Sequence, residues 1–221
     1  MIARPAAVRG GLLFAAFAAT PVSAGGVQVW SQLQLTGRVA DGWLLASDIS
    51  GRSATDNRAR QLLVRLQAGR ALSDEVTIWL GYVRAETFNH DRRHGLEQRA
   101  TGQLDWRAGA LGPFDLTLRS RAEARFFRNS GNMAWRLRQQ VRLTLPISDM
   151  VEISGAAEPF VTINRNSDAP RTLDQLRLTA TVSTKLTDQA TLNVAYYNEH
   201  VFRSERTYVN HIIPVTLAWR F

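Results

Sequence analysis

Cysteine is absent from the 221 residues of this chain. That excludes a disulfide framework and any thiolate metal site, and an oxidising compartment costs such a fold nothing. Lysine occurs once, at Lys185, so arginine carries almost all of the positive charge. Long apolar runs are missing too. The longest candidate, residues 12–19 near the start, falls far short of the roughly 20 residues a membrane-spanning helix needs. If the chain crosses a bilayer it must do so as a closed β-barrel, because an open sheet edge leaves backbone groups unpaired in hydrocarbon. No linker or low-complexity stretch divides it, which predicts one domain.

The two ends are informative. Arg4 and Arg9, the apolar stretch after them and Val22-Ser23-Ala24 have the layout of a secretory signal peptide, with cleavage expected after Ala24. Residues 1–24 are then a signal peptide and 25–221 the mature domain. At the other end Ile213, Val215, Leu217, Trp219 and the terminal Phe221 occupy every second position. This is similar to the C-terminal strand signal that outer-membrane barrels present to their assembly machinery. It implies the bacterial outer membrane as location, with lipid, lipopolysaccharide, periplasmic chaperones and the barrel-assembly machinery as partners.

Between the ends the dominant period is two, in segments of 10 to 15 residues. The clearest covers 114–127. Phe114, Leu116, Leu118, Ala122, Ala124 and Phe126 lie on one face, with Asp115, Thr117, Arg119, Arg121, Glu123 and Arg125 on the other. A helix would scatter those charges around its circumference, so the pattern is a strand. Phe114 and Phe126 are twelve residues apart, which at about 3.4 Å per residue and a tilt of about 40° spans roughly 30 Å of membrane height. Residues 96–108, 135–145, 151–163, 176–185 and 62–68 repeat the design, although Leu63 interrupts a polar face. In 76–87 the parity is ambiguous, because Trp79 and Val83 compete with Ile78, Leu80 and Tyr82 for the apolar side.

Short turns near 73–74, 109–113, 146–149 and 187–189 alternate with longer polar segments near 51–58, 88–95, 128–132, 164–172 and 202–206. Such barrels keep short turns in the periplasm and long loops outside. Placing Phe221 in the periplasm puts all four short turns there as well. The fold class expected is an all-β, closed antiparallel transmembrane barrel of about 10 strands counted from Trp43, with 12 as the alternative. Residues 27–35 also read as a strand, taken as a lead-in because eleven is irregular for bacterial barrels.

With these strands laid out, several short motifs stand together. They are Trp30, Leu80-Gly81-Tyr82, Glu97-Gln98-Arg99, the ladder from Arg119 to Arg125, Trp135-Arg136-Leu137-Arg138, Glu158-Pro159-Phe160 and Asn210-His211. In these the chain resembles the outer-membrane family labelled "domain of unknown function 2490". It departs from the family pattern at Pro159 and at Thr179-Ala180-Thr181. The resemblance implies a barrel of this size and brings no activity with it.

The chemical feature is an inward ladder of Glu97, Arg99, Arg119, Arg121, Glu123, Arg125, Arg136, Arg138, Arg142, Glu152, Glu158 and Arg177. Arginine offers a rigid fork that pairs carboxylates bidentately. Two readings follow: a narrow channel favouring anions, or side chains that knit a plugged structural barrel together. The formal charge of +8, or +6 once Arg4 and Arg9 leave, is spread along strands rather than gathered in an arm, so nucleic acid is not an expected partner. No cofactor or metal is expected, since Arg92 and Arg93 flank the potential ligands His90, Asp91 and His94 and repel cations. Those two arginines are instead placed to meet lipopolysaccharide phosphates. The chain is read as a non-enzyme. The alternative, a lipid-modifying enzyme, would draw on His200, Ser204 and His211 with Glu199 or Glu205. A soluble lipocalin-like barrel would explain the same alternation with the faces reversed.

Overall fold

The computed structural model describes residues 24–54, 59–89, 92–128, 133–164, 173–203 and 207–221. The signal-peptide expectation for 1–23, and His90, Asp91, Ser204 and Glu205, lie outside the described residues. Eleven strands form within them: β1 Ala24–Ala40, β2 Trp43–Ala54, β3 Ala59–Ala71, β4 Val76–Asn89, β5 Arg92–Leu111, β6 Phe114–Phe127, β7 Met133–Pro146, β8 Val151–Thr162, β9 Leu173–Lys185, β10 Ala190–Phe202 and β11 Thr207–Arg220. They close into one barrel in sequence order, with β1 beside β11.

Ten of the eleven neighbouring pairs are antiparallel, and β1 with β11 is parallel. The reason is topological. Strands joined by hairpins alternate in direction, so an odd ring must contain one parallel pair. The segment at 27–35, set aside above as a lead-in, is therefore the closing strand. Val29 faces Ile213 and Leu33 faces Leu217 in the register, which aligns Ala24 with Val209 at the loop end of the barrel.

The five connections at 41–42, 72–75, 112–113, 147–150 and 186–189 share one end of the barrel with Phe221. The turn at Asp41-Gly42 joins the four expected from sequence. Phe221 closes this end: its amide donates to the Thr36 carbonyl at 3.1 Å, and its ring lies over Gly37. A Cβ on Gly37 would overlap that ring, so glycine there is a matter of close approach rather than of backbone angle.

The two faces of the sheet are sharply sorted. Val29, Leu33, Leu45, Ile49, Leu66, Leu80, Leu137, Val182, Val215 and Leu217 are exposed on the outside. Buried polar side chains such as Asp48, Gln103, Arg121, Glu123, Arg136, Glu158 and Glu199 fill the inside. A lipocalin-like barrel requires the opposite arrangement, so that alternative fails on the geometry. The ambiguous strand also resolves: Ile78, Leu80 and Tyr82 are exposed, while Val83 is buried inside with Ala85 and Leu63. Leu63 breaks the polar face of β3 because it belongs to this small apolar cluster on the inner wall.

Candidate functional site

The inner wall encloses a cavity of about 630 Å³ that is continuous from the turn end, at Glu75 and Thr77, to Gln175, Arg177 and Glu199 in the half nearer the loops. Alternation along each strand aims every second side chain into it. Ten arginines and six carboxylates are among its lining residues. Arg99, Arg119, Arg121, Glu123, Arg136, Arg138, Arg142, Glu158 and Arg177, all picked out from the sequence, line the cavity. Glu97 and Arg125 are half-buried and pair with each other at 2.5 Å, outside that lining. Glu152 is displaced from the site. It is exposed, opposite Pro146 at the start of β8, and it does not line the cavity, because the strand has barely left the turn at that point.

The charges form a chain around half of the wall. Arg136 on β7 pairs with Glu123 on β6 at 2.5 Å, and Glu123 pairs with Arg138 at 3.0 Å. Arg138 pairs with Glu158 on β8 at 2.7 Å, and Arg177 on β9 reaches Glu158 at 3.9 Å and Glu199 on β10 at 2.5 Å. Asn210 on β11 then donates to Glu199 at 3.3 Å. Six consecutive strands are thus joined through one network. Its hub, Glu123, is 2 % exposed. Glu123 accepts from two arginines, Glu199 from Arg177 and Asn210, and Glu158 accepts from Arg138 with Arg177 as a second, longer ion-pair partner, so the buried charges are mutually paired, the condition under which they are tolerated.

Aromatic rings face the same guanidiniums. Phe160, 2 % exposed, lies beneath Arg138, Arg177 and Arg136 at 4.3, 5.1 and 5.2 Å from ring centroid to guanidinium carbon. Arg177 also sits 5.0 Å from the Tyr197 ring and 5.5 Å from that of Trp30, and Arg52 stacks on Trp30 at 4.0 Å. Trp30 meets Tyr197 edge to face at 5.9 Å. Such contacts place each guanidinium within cation–π reach of an aromatic ring.

Not every cation is balanced. Arg52 hydrogen-bonds Gln61 at 3.1 Å and Ser50 at 3.3 Å, both neutral. Arg142 donates to the Ser154 hydroxyl at 3.3 Å. Arg121 donates to Gln103 at 2.9 Å through Nε, and its nearest carboxylate oxygen in an ion pair, on Glu123, is 4.0 Å away. Elsewhere pairing is tighter, with Arg65 on Asp48 at 2.5 Å and Arg119 on Asp105 at 2.7 Å. Nearer the turn end, β1, β9, β10 and β11 supply Gln32, Gln34, Thr181, Asn193 and Thr216, which are uncharged donors and acceptors.

A family model described as a protein of unknown function (DUF2490) matches residues 27–210, which takes in nearly all of this barrel. The chain belongs to that family. A relative within reach of sequence comparison is an uncharacterised protein of Methylorubrum extorquens, 24 % identical over 209 residues that cover 92 % of this chain and 90 % of the relative. Among solved structures, the KdgM porin in complex with disordered oligogalacturonate aligns with a TM-score of 0.50 at 15 % identity, covering 80 % of this DUF2490 chain and 85 % of the porin. The NanC porin aligns with a TM-score of 0.51 at 15 % identity over 77 % and 79 %. At such identities the likeness is one of fold: a porin-like barrel.

Sequence reading of this DUF2490 chain overlooked several lumen residues. Phe160 shares the parity of Glu158, and Trp30 that of Gln28 and Gln32, so both point inward by the rule that placed the arginines. Their apolar character masked them. Glu199, considered above only as a helper in an enzyme, is the partner of Arg177. Of the other residues weighed for catalysis, His211 lies beside Tyr196, Nδ1 to hydroxyl at 2.6 Å, and His200 stacks on Phe202. Neither is near a serine–carboxylate arrangement among the described residues. Arg92 and Arg93 align with Asn89 and Phe88 at the loop end of β4 and β5.

Proposed function

We propose that this protein is an outer-membrane channel whose cationic lumen binds and passes small anionic solutes. The observation that carries the reading is the excess of guanidinium over carboxylate around one continuous cavity, with Arg52, Arg121 and Arg142 bonded chiefly to neutral partners. Pore walls of that sign favour anions. Guanidiniums that share one lumen with amides and hydroxyls suit a solute carrying both carboxylates and hydroxyls. The oligogalacturonate seen with the KdgM porin is of that chemical kind and makes a carboxylated saccharide the first solute to try.

The exposed apolar outside of the barrel supports a bilayer location, and the porin-like fold makes the outer membrane of a Gram-negative cell the membrane we assign. The short-turn end, with Phe221, then faces the periplasm. The barrel-assembly machinery and periplasmic chaperones are the partners this requires, with Phe221 as the recognition handle.

A second reading has its own observation. The chain from Arg136 to Glu199 packs the loop-side half of the lumen, as it would in a plugged scaffold. Planar-bilayer recording of the full-length chain after native export and extraction, under a salt gradient, separates the two. Reproducible steps with an anion-selective reversal potential are expected. A silent, folded barrel supports the scaffold, and cation-selective steps overturn the solute class.

A further inference from the structure

We infer that Arg119, Gln140 and Arg142 form an oxyanion site at the turn end of the lumen, which holds one carboxylate or phosphate group of a solute. Strand register brings the three together. Arg142 of β7 stands opposite Thr117 of β6, and Gln140 stands opposite Arg119. All four side chains line the cavity. Arg119 and Arg142 are therefore diagonal neighbours on one inner face, a separation that long side chains bridge.

Their donors are largely unspent. Arg142 bonds the Ser154 hydroxyl through Nη1 at 3.3 Å. Its Nε–Nη2 edge, a fork that receives a carboxylate bidentately, has no partner among the described residues. Arg119 donates through Nε alone, to Asp105 at 2.7 Å. Gln140, between the two guanidiniums, bonds no side chain through its amide among the described residues. Arg136 and Arg138, nearer the loop end of the same strand, are by contrast held by Glu123 and Glu158.

Two like charges side by side in a narrow lumen repel one another unless a counter-charge sits between them. The neighbouring residues supply little of it. Arg107 of β5, opposite Thr117, adds a third guanidinium to this part of the wall, with Nη2 donating to the Asp74 carbonyl. Asp105 is shared between Arg119 and Gln103, whose amide donates to it at 2.8 Å. Glu75, the other carboxylate lining this end, accepts from Ser73 at 2.8 Å. Every connection at the turn end is described, and none of the carboxylates they carry pairs with Arg142. An oxyanion accepts from both guanidiniums and the amide at once, which satisfies these donors. Carboxylate and phosphate share that chemistry.

The site rests on the anion-binding reading of the lumen but not on conduction. A barrel filled in its loop-side half is still reached from the turn end, where Arg119 and Asp105 are 40 % and 31 % exposed. Calorimetric titration of the full-length chain, exported natively and extracted folded into detergent, tests the site with galacturonate and inorganic phosphate as separate probes. Binding of at least one probe is expected at low ionic strength, and the one that binds tighter identifies the source of the oxyanion. Arg142→Gln and Arg119→Gln are each expected to weaken it about tenfold, the loss of one charge-assisted contact, with heat-modifiable mobility retained. Arg142→Lys, which keeps the charge without the fork, is expected to fall between Arg142→Gln and the unaltered chain. Lys185→Ala removes an exposed cation at the same end and is expected to leave the affinity unchanged. Affinity unchanged by both glutamine variants overturns the site while an anion-binding lumen stands. No heat with either probe from a folded barrel overturns both. A tenfold loss in a barrel that is silent in bilayers supports the site and removes only the conducting role.

Discussion

Glu123 shows how much a single side chain carries in this lumen. It is 2 % exposed and holds Arg136 at 2.5 Å and Arg138 at 3.0 Å. Glu123→Ala strands two guanidiniums in a desolvated layer, and breaking one side of a buried ion network costs about 3–5 kcal/mol. Urea unfolding in lipid vesicles is expected to show a loss of that order, against a small one for Lys185→Ala, whose partner Asp188 is almost fully solvated. Arg142 represents the opposite situation. Its bond to Ser154 is neutral, so Arg142→Gln removes a charge without orphaning a carboxylate in its place. Its expected effect is on selectivity: a reversal potential shifted toward zero, with the unfolding midpoint unchanged.

At the level of elements the deciding contact is β1 against β11. Alternation revealed both strands, but hairpin reasoning predicts antiparallel neighbours and so cannot foresee a parallel closing pair. The register places Val29 beside Ile213. Neighbouring strand positions lie within the reach of a disulfide, about 4.4–6.8 Å between Cα atoms. Val29→Cys with Ile213→Cys is therefore expected to form an intramolecular disulfide in the folded barrel. Unreacted thiols in a heat-modifiable product would argue against the eleven-stranded closure. The same seam holds Phe221, bonded to Thr36 and stacked over Gly37. Deleting Phe221 is expected to reduce membrane-inserted, heat-modifiable protein far more than Arg119→Gln does. Gly37→Val, which drives a side chain into the Phe221 ring, is expected to fall between the two.

For the whole molecule, the distinguishing property is a cationic interior within an apolar exterior. Electrostatic selectivity in a water-filled lumen depends on screening, and the Debye length shrinks from about 10 Å at 0.1 M salt to about 3 Å at 1 M. The anion preference is therefore expected to weaken strongly over that range, as read from reversal potentials at a fixed salt ratio. A preference independent of salt would indicate a steric filter instead. Much of this architecture is legible in one dimension. Period-two alternation assigns Arg119, Arg121 and Arg125 to one face and Phe114, Leu118 and Phe126 to the other, because strand geometry makes facing a purely local property. The sequence alone likewise shows that the chain carries no thiol, that its repeating element is the strand, and that short turns share an end with Phe221. Pairing across strands is not local. Which carboxylate meets Arg177, why Leu63 faces inward, where Phe160 lies under three guanidiniums, and that Glu152 stops short of the cavity all depend on register and closure. Those follow from the stagger of eleven strands around a ring, which is fixed only when the last strand meets the first.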